Sequence, residues 1–281
     1  MIHIVTDSTA SLPPALVSQY AIHVVPQIIN FGHEGFRANV DMTIKEFYRR
    51  LSSASELPTT SQPSSGMFLE VFESLTASGD TVLAIVVSNE LSGTYPSAQG
   101  AKEMLPEADV HVIDSRAVSA PLGFIVLEAA RMAQAGADLE RIEARVMQMV
   151  QGFQIFFLVD TLEYLRRGGR IGGAAALLGT ALKMKPVLTI QNGRVEPFER
   201  VRTKSRAVAR LKELVRQRLA PESGEKIYLA TVHGNVPDEA AALHQELIDE
   251  FHPAETLLTE LTPAIATHVG PGVLAAAFYQ D

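Results

Sequence analysis

The sequence predicts an α/β protein of two domains. Residues 1–152 read as an N-terminal three-layer α/β/α domain on a mainly parallel sheet, and residues 153–281 as a C-terminal α+β domain with a mixed sheet. Length is the first reason: 281 residues are many for one core and comfortable for two. The second is the run TVLAIVV at 81–87, whose apolar and β-branched residues suit a strand buried on both faces of a parallel sheet. The third is alternation. Strand and helix patterns trade places as far as Gly152, after which a hairpin signal, Asn192-Gly193, breaks the order.

Composition narrows the class. The chain is 47% hydrophobic and 20% charged, as an ordinary globular protein is. No apolar run reaches the length of a membrane span, and the opening MIHIVTDSTA reads as a first strand, not a signal peptide. Cysteine is absent, which excludes disulfides, thiol catalysis and cysteine metal sites. The eight histidines lack a paired ligand spacing such as HExxH. A soluble, cytoplasmic protein without metal, cofactor or stable membrane insertion is the expectation. Net charge is −8 but unevenly spread: residues 166–218 hold fourteen Lys/Arg against three Glu, a local +11, and the remainder carries −19. That surface suits an acidic partner or phosphate, or is simply a solvated helix face. Nucleic acid is not expected, because aromatics are scarce there and no binding motif occurs.

In chain order, residues 2–5 form a strand ending in Thr6-Asp7-Ser8-Thr9, where Asp7 is either a site residue or a brace for the turn. Ser11, Pro13 and Pro14 open a helix. Residues 22–29 read as one strand, and 31–37 as a turn or short hairpin around Gly32 and Gly35. Thr43 with Glu46 is a capping box for a helix at 44–51. LPTTSQPSSG at 57–66 reads as a rigid polar loop before a helix at 67–76. It is a plain connection, or an uncharged donor set for an anionic head group beside an apolar tail.

After the strand at 81–87 comes SNELSGT, then a helix at 95–104. Such a turn sits at the carboxyl edge of the sheet, where open α/β folds bind ligands. The amides of the new helix favour a negative group there, and Ser92, Gly93 and Thr94 suit it sterically. The alternative is that Ser92 or Thr94 only caps the helix. A strand at 109–114 with a polar corner, and helices at 121–135 and 139–150, complete the first domain.

In the second domain residues 155–159 read as a strand, Asp160 or Thr161 as the cap of a short helix, and Gly168-Gly169 as its end. Residues 170–184, rich in small side chains, read as a helix that something approaches closely. Strands at 186–190 and 195–201, a basic helix at 204–219, a strand at 227–232, a helix at 237–251 and a last strand at 256–261 follow. GPGVLA at 270–275 spells a dinucleotide loop but leaves too few residues for a βαβ unit. Neither GxxxxGK[ST] nor GxSxG occurs. A Ser92 nucleophile needs a base, which only His233 or His268 could supply, and no acidic orienter is evident.

Six motifs also recur together elsewhere: IVTDSTASLP at the start, TSQPS at 60–64, LSGTYPSA at 91–98, VIDSRAVS at 112–119, DTLEYLRRGGRI at 160–171 and THVGPG at 267–272. In this order, over nearly the whole chain, they resemble the DegV family, also called fatty acid-binding FakB proteins. The resemblance implies one long-chain fatty acid in a tunnel between two domains. Its carboxylate would be held by hydroxyls of the second and third motifs, here Thr60 and Ser92, with Ser61, Gly93 and Thr94 beside them. It implies His268 near the head group, and an arginine after the hairpin, Arg202, with Arg200 as its neighbour. It implies a carrier, not an enzyme, working with a separate fatty acid kinase related to dihydroxyacetone kinases that makes the acyl phosphate. Within the basic region, Arg166, Arg167 and Arg170 are candidate docking residues for that kinase. The other readings are a serine-dependent hydrolase using Ser92, and a lipid-sensing regulatory protein.

Overall fold

A computed structural model describes residues 1–178, 184–220 and 224–281, which fall into two units: Met1–Gln151 with Thr262–Ala264, and Gly152–Leu261 with Ile265–Asp281. In the first, the apolar run at 81–87 becomes strand β6 (Thr81–Val86), where no residue from Val82 to Val87 is more than 2% exposed. It lies between β1 (Ile2–Asp7) and β7 (Val110–Asp114), with β2 (His23–Val25) at the edge, in an all-parallel sheet of order β2-β1-β6-β7. Alternation sends Val5, Val82, Ala84 and Val86 to one face, against Phe68 and Phe72 of α3 (Ser65–Thr76) and Ala98 and Ala101 of α4 (Thr94–Glu103). Ile4, Leu83 and Ile85 take the opposite face, where α5 (Ala120–Gln134) packs on β1 and β6. Three layers result, and they bury β6 from both sides.

Two expectations change in this unit. Residues 22–29 are not one strand: after Pro26 the chain enters β3 (Ile28–Phe31), which joins β4 (Glu34–Arg37) and β5 (Thr59–Ser61) in a separate antiparallel sheet. Proline offers no N–H to a ladder, so a change of sheet falls there. The stretch at 57–66 is likewise more than a loop, since Thr59, Thr60 and Ser61 pair with Asn30, Ile29 and Ile28. The capping box forms, with Thr43 Oγ1 accepting from the Glu46 amide (3.2 Å) at the start of α2 (Ile44–Ser53).

The second unit holds a six-stranded mixed sheet of order β10-β9-β8-β13-β11-β12. Its strands are β8 (Gln154–Leu158), β9 (Lys185–Gln191), β10 (Arg194–Val201), β11 (Ile227–His233), β12 (Glu255–Glu260) and β13 (Leu274–Gln280). The hairpin β9–β10 turns on Asn192 and Gly193, both at positive φ (51° and 78°), as a two-residue type I′ turn requires. Helices α8 (Lys204–Arg216) and α9 (Pro237–Phe251) set Leu211, Leu214, Leu243 and Leu247 against Phe156, Leu229, Ala276 and Phe278 of the sheet.

Here too the sequence reading needs correcting. β13, which it does not foresee, is hydrogen-bonded on both sides, to β8 and β11. Residues 170–184 do not form one helix: Gly172–Leu177 is a 3-10 turn, Leu178 is extended, and residues 179–183 lie outside the described residues. Thr161, not Asp160, supplies the start of α7 (Glu163–Arg167), its Oγ1 accepting from the Glu163 amide (3.1 Å). Asp160 instead takes Lys185 Nζ at 3.0 Å. The positive stretch is partly compensated by acids outside the counted window. Lys204, Lys212 and Arg216 of α8 pair with Glu239, Glu246 and Glu250 of α9, and such exposed pairs contribute roughly 0–1 kcal/mol each.

The two glycine-bearing motifs of this unit meet face to face. A Cβ at Gly168 would lie 2.3 Å from Nδ1 of His268, on α10 (Pro263–Val269), and one at Gly272, where φ is 85°, would lie 2.0 Å from Asp160 Oδ2. We expect Gly168→Ala to lower the free energy of urea unfolding by about 1–3 kcal/mol, the usual cost of overpacking; a loss below ~0.5 kcal/mol would show that the His268 ring has room to move.

Candidate functional site

The parallel sheet reverses its winding between β1 and β6. From β1 the chain moves outward to β2, and from β6 it moves the other way to β7. A crevice opens past the carboxyl ends of two strands whose connections diverge in this way, the usual ligand position in open α/β sheets.

Asp7 ends β1 at that point and is fully buried. Its Oδ2 accepts from the Val87 amide (2.8 Å), one residue past β6, and its Oδ1 accepts from the Thr9 amide (2.9 Å) and Gln27 Nε2 (3.3 Å). Burial pushes its pKa up, and the donors of Thr9, Val87 and Gln27 oppose that. The geometry makes Asp7 a brace between strand ends.

Gln27, 3% exposed, carries the network onward: Nε2 donates to Thr94 Oγ1 at 2.8 Å, and Thr94 Oγ1 lies 2.8 Å from Ser92 Oγ. Thr94 is fully buried while Ser92 is half-buried, so the chain of bonds runs from the interior to the site edge. Neither hydroxyl caps α4. Its N-cap is Gly93, which makes no side-chain cap bond. The bond that Ser92 makes through its hydroxyl is to a threonine and not to a histidine.

The TSQP stretch reaches this turn through Gln62, whose Nε2 lies 2.8 Å from where a Gly93 Cβ would stand. Thr60 is half-buried on β5, and Ser61 is exposed with its Oγ accepting from Asn30 Nδ2 (3.0 Å). The sequence reading passed over Gln27 and Gln62 as site residues. Gln27 had a signal, a lone amide in an otherwise mostly apolar stretch just after Pro26. Near Asp7 and Ser8 a cavity of about 420 Å³ opens, its other walls including Leu12, Val17, Ile22 and Val40.

The remaining candidates belong to the second unit. His268 and Arg170 come together beside Gly168, whose carbonyl accepts from Arg170 Nη1 (2.8 Å). Burial, and then the positive charge of Arg170, lower the His268 pKa to about 4, so the ring is neutral at neutral pH. Arg166 and Arg167 share one carboxylate, Glu163, at 2.7 and 2.5 Å, and these bonds hold its pKa at about 2. Arg202 is exposed between β10 and α8 and makes no hydrogen bond or ion pair with a described residue. Among the described residues no helix is long and apolar enough to cross a membrane, and no group of three His, Asp or Glu could hold a metal ion.

Comparison with known proteins places these features. The model of the DegV family, described as "Uncharacterised protein, DegV family", matches residues 1–281. A DegV domain-containing protein of Halalkalibacterium halodurans is 36% identical over 279 residues, covering 99% of this chain and 98% of that one. A solved structure of a DegV family protein from Thermus thermophilus, reported for fatty acid binding, is similar with a TM-score of 0.93 at 36% identity, covering 100% of this chain and 99% of that one. DegV of Bacillus subtilis, described as a fatty acid binding protein, gives 0.91 at 34% identity, with the same coverage. Matched along its whole length in both sequence and fold, the chain belongs to the DegV family.

Proposed function

We propose that this protein is a cytoplasmic carrier that binds a long-chain fatty acid and presents its carboxylate to a separate fatty acid kinase. The observation that carries the reading is the start of α4, where Ser92 and Thr94 bond to each other and no side chain of the N-cap Gly93 covers the Thr94 and Tyr95 amides, Pro96 having none. Helix amides and hydroxyls favour an anion, and Gly93 of this turn is approached by Gln62, which follows Thr60 and Ser61 of β5. The description of relatives at 36% and 34% identity as fatty acid binding supports the choice of anion. Burying about fifteen methylenes yields roughly 12 kcal/mol gross at ~0.8 kcal/mol each, much of it offset by association and ordering costs. The tail then supplies affinity and the hydroxyls supply register. The apolar walls of the cavity near Asp7 lie in the same unit, and its volume falls within the range of small-molecule sites. His268 and Arg202 are proposed as further head-group contacts, each tested by its own variant. A hydrolase using Ser92 is not favoured, because a threonine hydroxyl is no general base.

Native mass spectrometry of the purified protein should reveal a co-purifying fatty acid, and Ser92→Ala and Thr60→Ala should each weaken binding roughly tenfold, the worth of one bond to a charged group. Unchanged affinity in both variants would remove these hydroxyls from the site.

Acyl phosphate should form only when kinase and ATP are added. Reversing Arg166, Arg167 and Arg170 to Glu should depress that turnover while fatty acid binding persists; undiminished turnover would refute this docking surface.

The His268 ring gives a pH signature. With its native pKa near 4 against an ordinary 6.5, the unfolded chain takes up a proton first as pH falls below 6.5. Stability present above that value is therefore lost between pH 6.5 and 4. The wild type should lose on the order of 2 kcal/mol more than His268→Gln between pH 7.5 and 5, measured by urea unfolding. Parallel losses would mean the ring titrates normally.

A further inference from the structure

We propose that Asp7 and Gln27 are positioning residues that fix the direction of a hydroxyl chain, so that Ser92 offers its hydrogen, not a lone pair, to the carboxylate. This rests on the fatty acid reading above. Both oxygens of Asp7 face backbone amides, from Val87 and Thr9, which are donors only. With its carboxylate ionised, as the proposal takes it, Asp7 is an acceptor only. The Gln27 amide must then turn its NH2 toward Asp7, because the reverse orientation would set its oxygen against the carboxylate. One hydrogen of Nε2 goes to Asp7 Oδ1 and the other to Thr94 Oγ1.

Thr94 Oγ1 now receives a hydrogen bond from a group that cannot accept one. Its own hydrogen goes to its remaining hydroxyl neighbour, Ser92 Oγ, at 2.8 Å. Ser92 in turn receives, and its hydrogen points outward from the network. Asp7, Gln27 and Thr94 are buried away from competing water while Ser92 is half-buried, so only the last member meets a ligand. Chains of this kind polarise each successive donor. A carboxylate only accepts, so it gains from this arrangement; a long-chain alcohol both donates and accepts, so it does not depend on it.

The test compares palmitate with hexadecanol in the wild type and in Gln27→Met, which keeps the bulk and removes the donor. Palmitate affinity should fall roughly tenfold, while hexadecanol affinity stays within about twofold. Adding Gln27→Met to Ser92→Ala should cost little more, since the two act through one bond. Equal loss of both ligands would assign Gln27 a purely structural role and overturn the proposal, as would unchanged palmitate binding. A second measurement needs neither ligand nor variant. The wild-type Thr94 hydroxyl proton should be a slowly exchanging NMR resonance with a nuclear Overhauser effect to the Ser92 β protons, and a proton facing Gln27 would overturn the proposal. If the wild type binds neither palmitate nor hexadecanol, the fatty acid reading fails, and the hydroxyl resonance still decides the direction of the chain.

Discussion

The bond from the Val87 amide to the Asp7 carboxylate (2.8 Å) is the constraint on which the first unit's site depends. β1 and β6 are neighbours in register up to Val5 and Ala84, and beyond that their connections leave in opposite directions. Nothing in the ladder spans the gap. Asp7 spans it with a side chain, taking the place of a ladder carbonyl for the first amide beyond β6. Desolvating a carboxylate costs several kcal/mol unless donors surround it. The donors of Val87, Thr9 and Gln27 come from three separate segments, so the charge gathers them around one point. The turn bearing Ser92 to Thr94 inherits its position from that gathering.

The second unit solves a comparable problem without a buried charge. Its two motif loops approach until Gly168 touches the His268 ring and Gly272 touches Asp160. Any side chain at either glycine would hold the loops apart. The small β13 residues Ala275, Ala276 and Ala277, all buried, work in the same direction inside the sheet. On the face of Ala276 this lets the helix layer close over a strand that is bonded on both edges. Backbone proximity thus fixes the His268 ring, and the burial that follows from it keeps the imidazole neutral.

Much of this was legible in the sequence, for identifiable reasons. β6, α9 and the β9–β10 hairpin carry strong local signals: a long apolar run, a proline at the first helical turn, and Asn-Gly. β13 carries none. LAAAFYQ lacks alternation because both faces are buried, and alanine is a weak strand former. β5 was hidden because a three-residue strand among prolines is defined by its partner β3 and not by its own composition. The charge count misled because it was one-dimensional: α8 is basic along the chain, but α9 brings its acids from more than thirty residues away. Ser92 and Thr94 were found as hydroxyls beside a buried strand. Their mutual bond is local, but the bond from Gln27 to Thr94 joins residues 67 positions apart and no local pattern encodes it.

The hydroxyl part of the proposed grip has a physical consequence. A buried arginine paired with the ligand's carboxylate would be strongly destabilising whenever the ligand was absent, because one charge would be left without its partner. Hydroxyls avoid this, since they can satisfy one another, as Ser92 and Thr94 do. In the second unit the charges are held differently: Arg166 and Arg167 pair with Glu163 at the surface, and the neutral His268 lies buried.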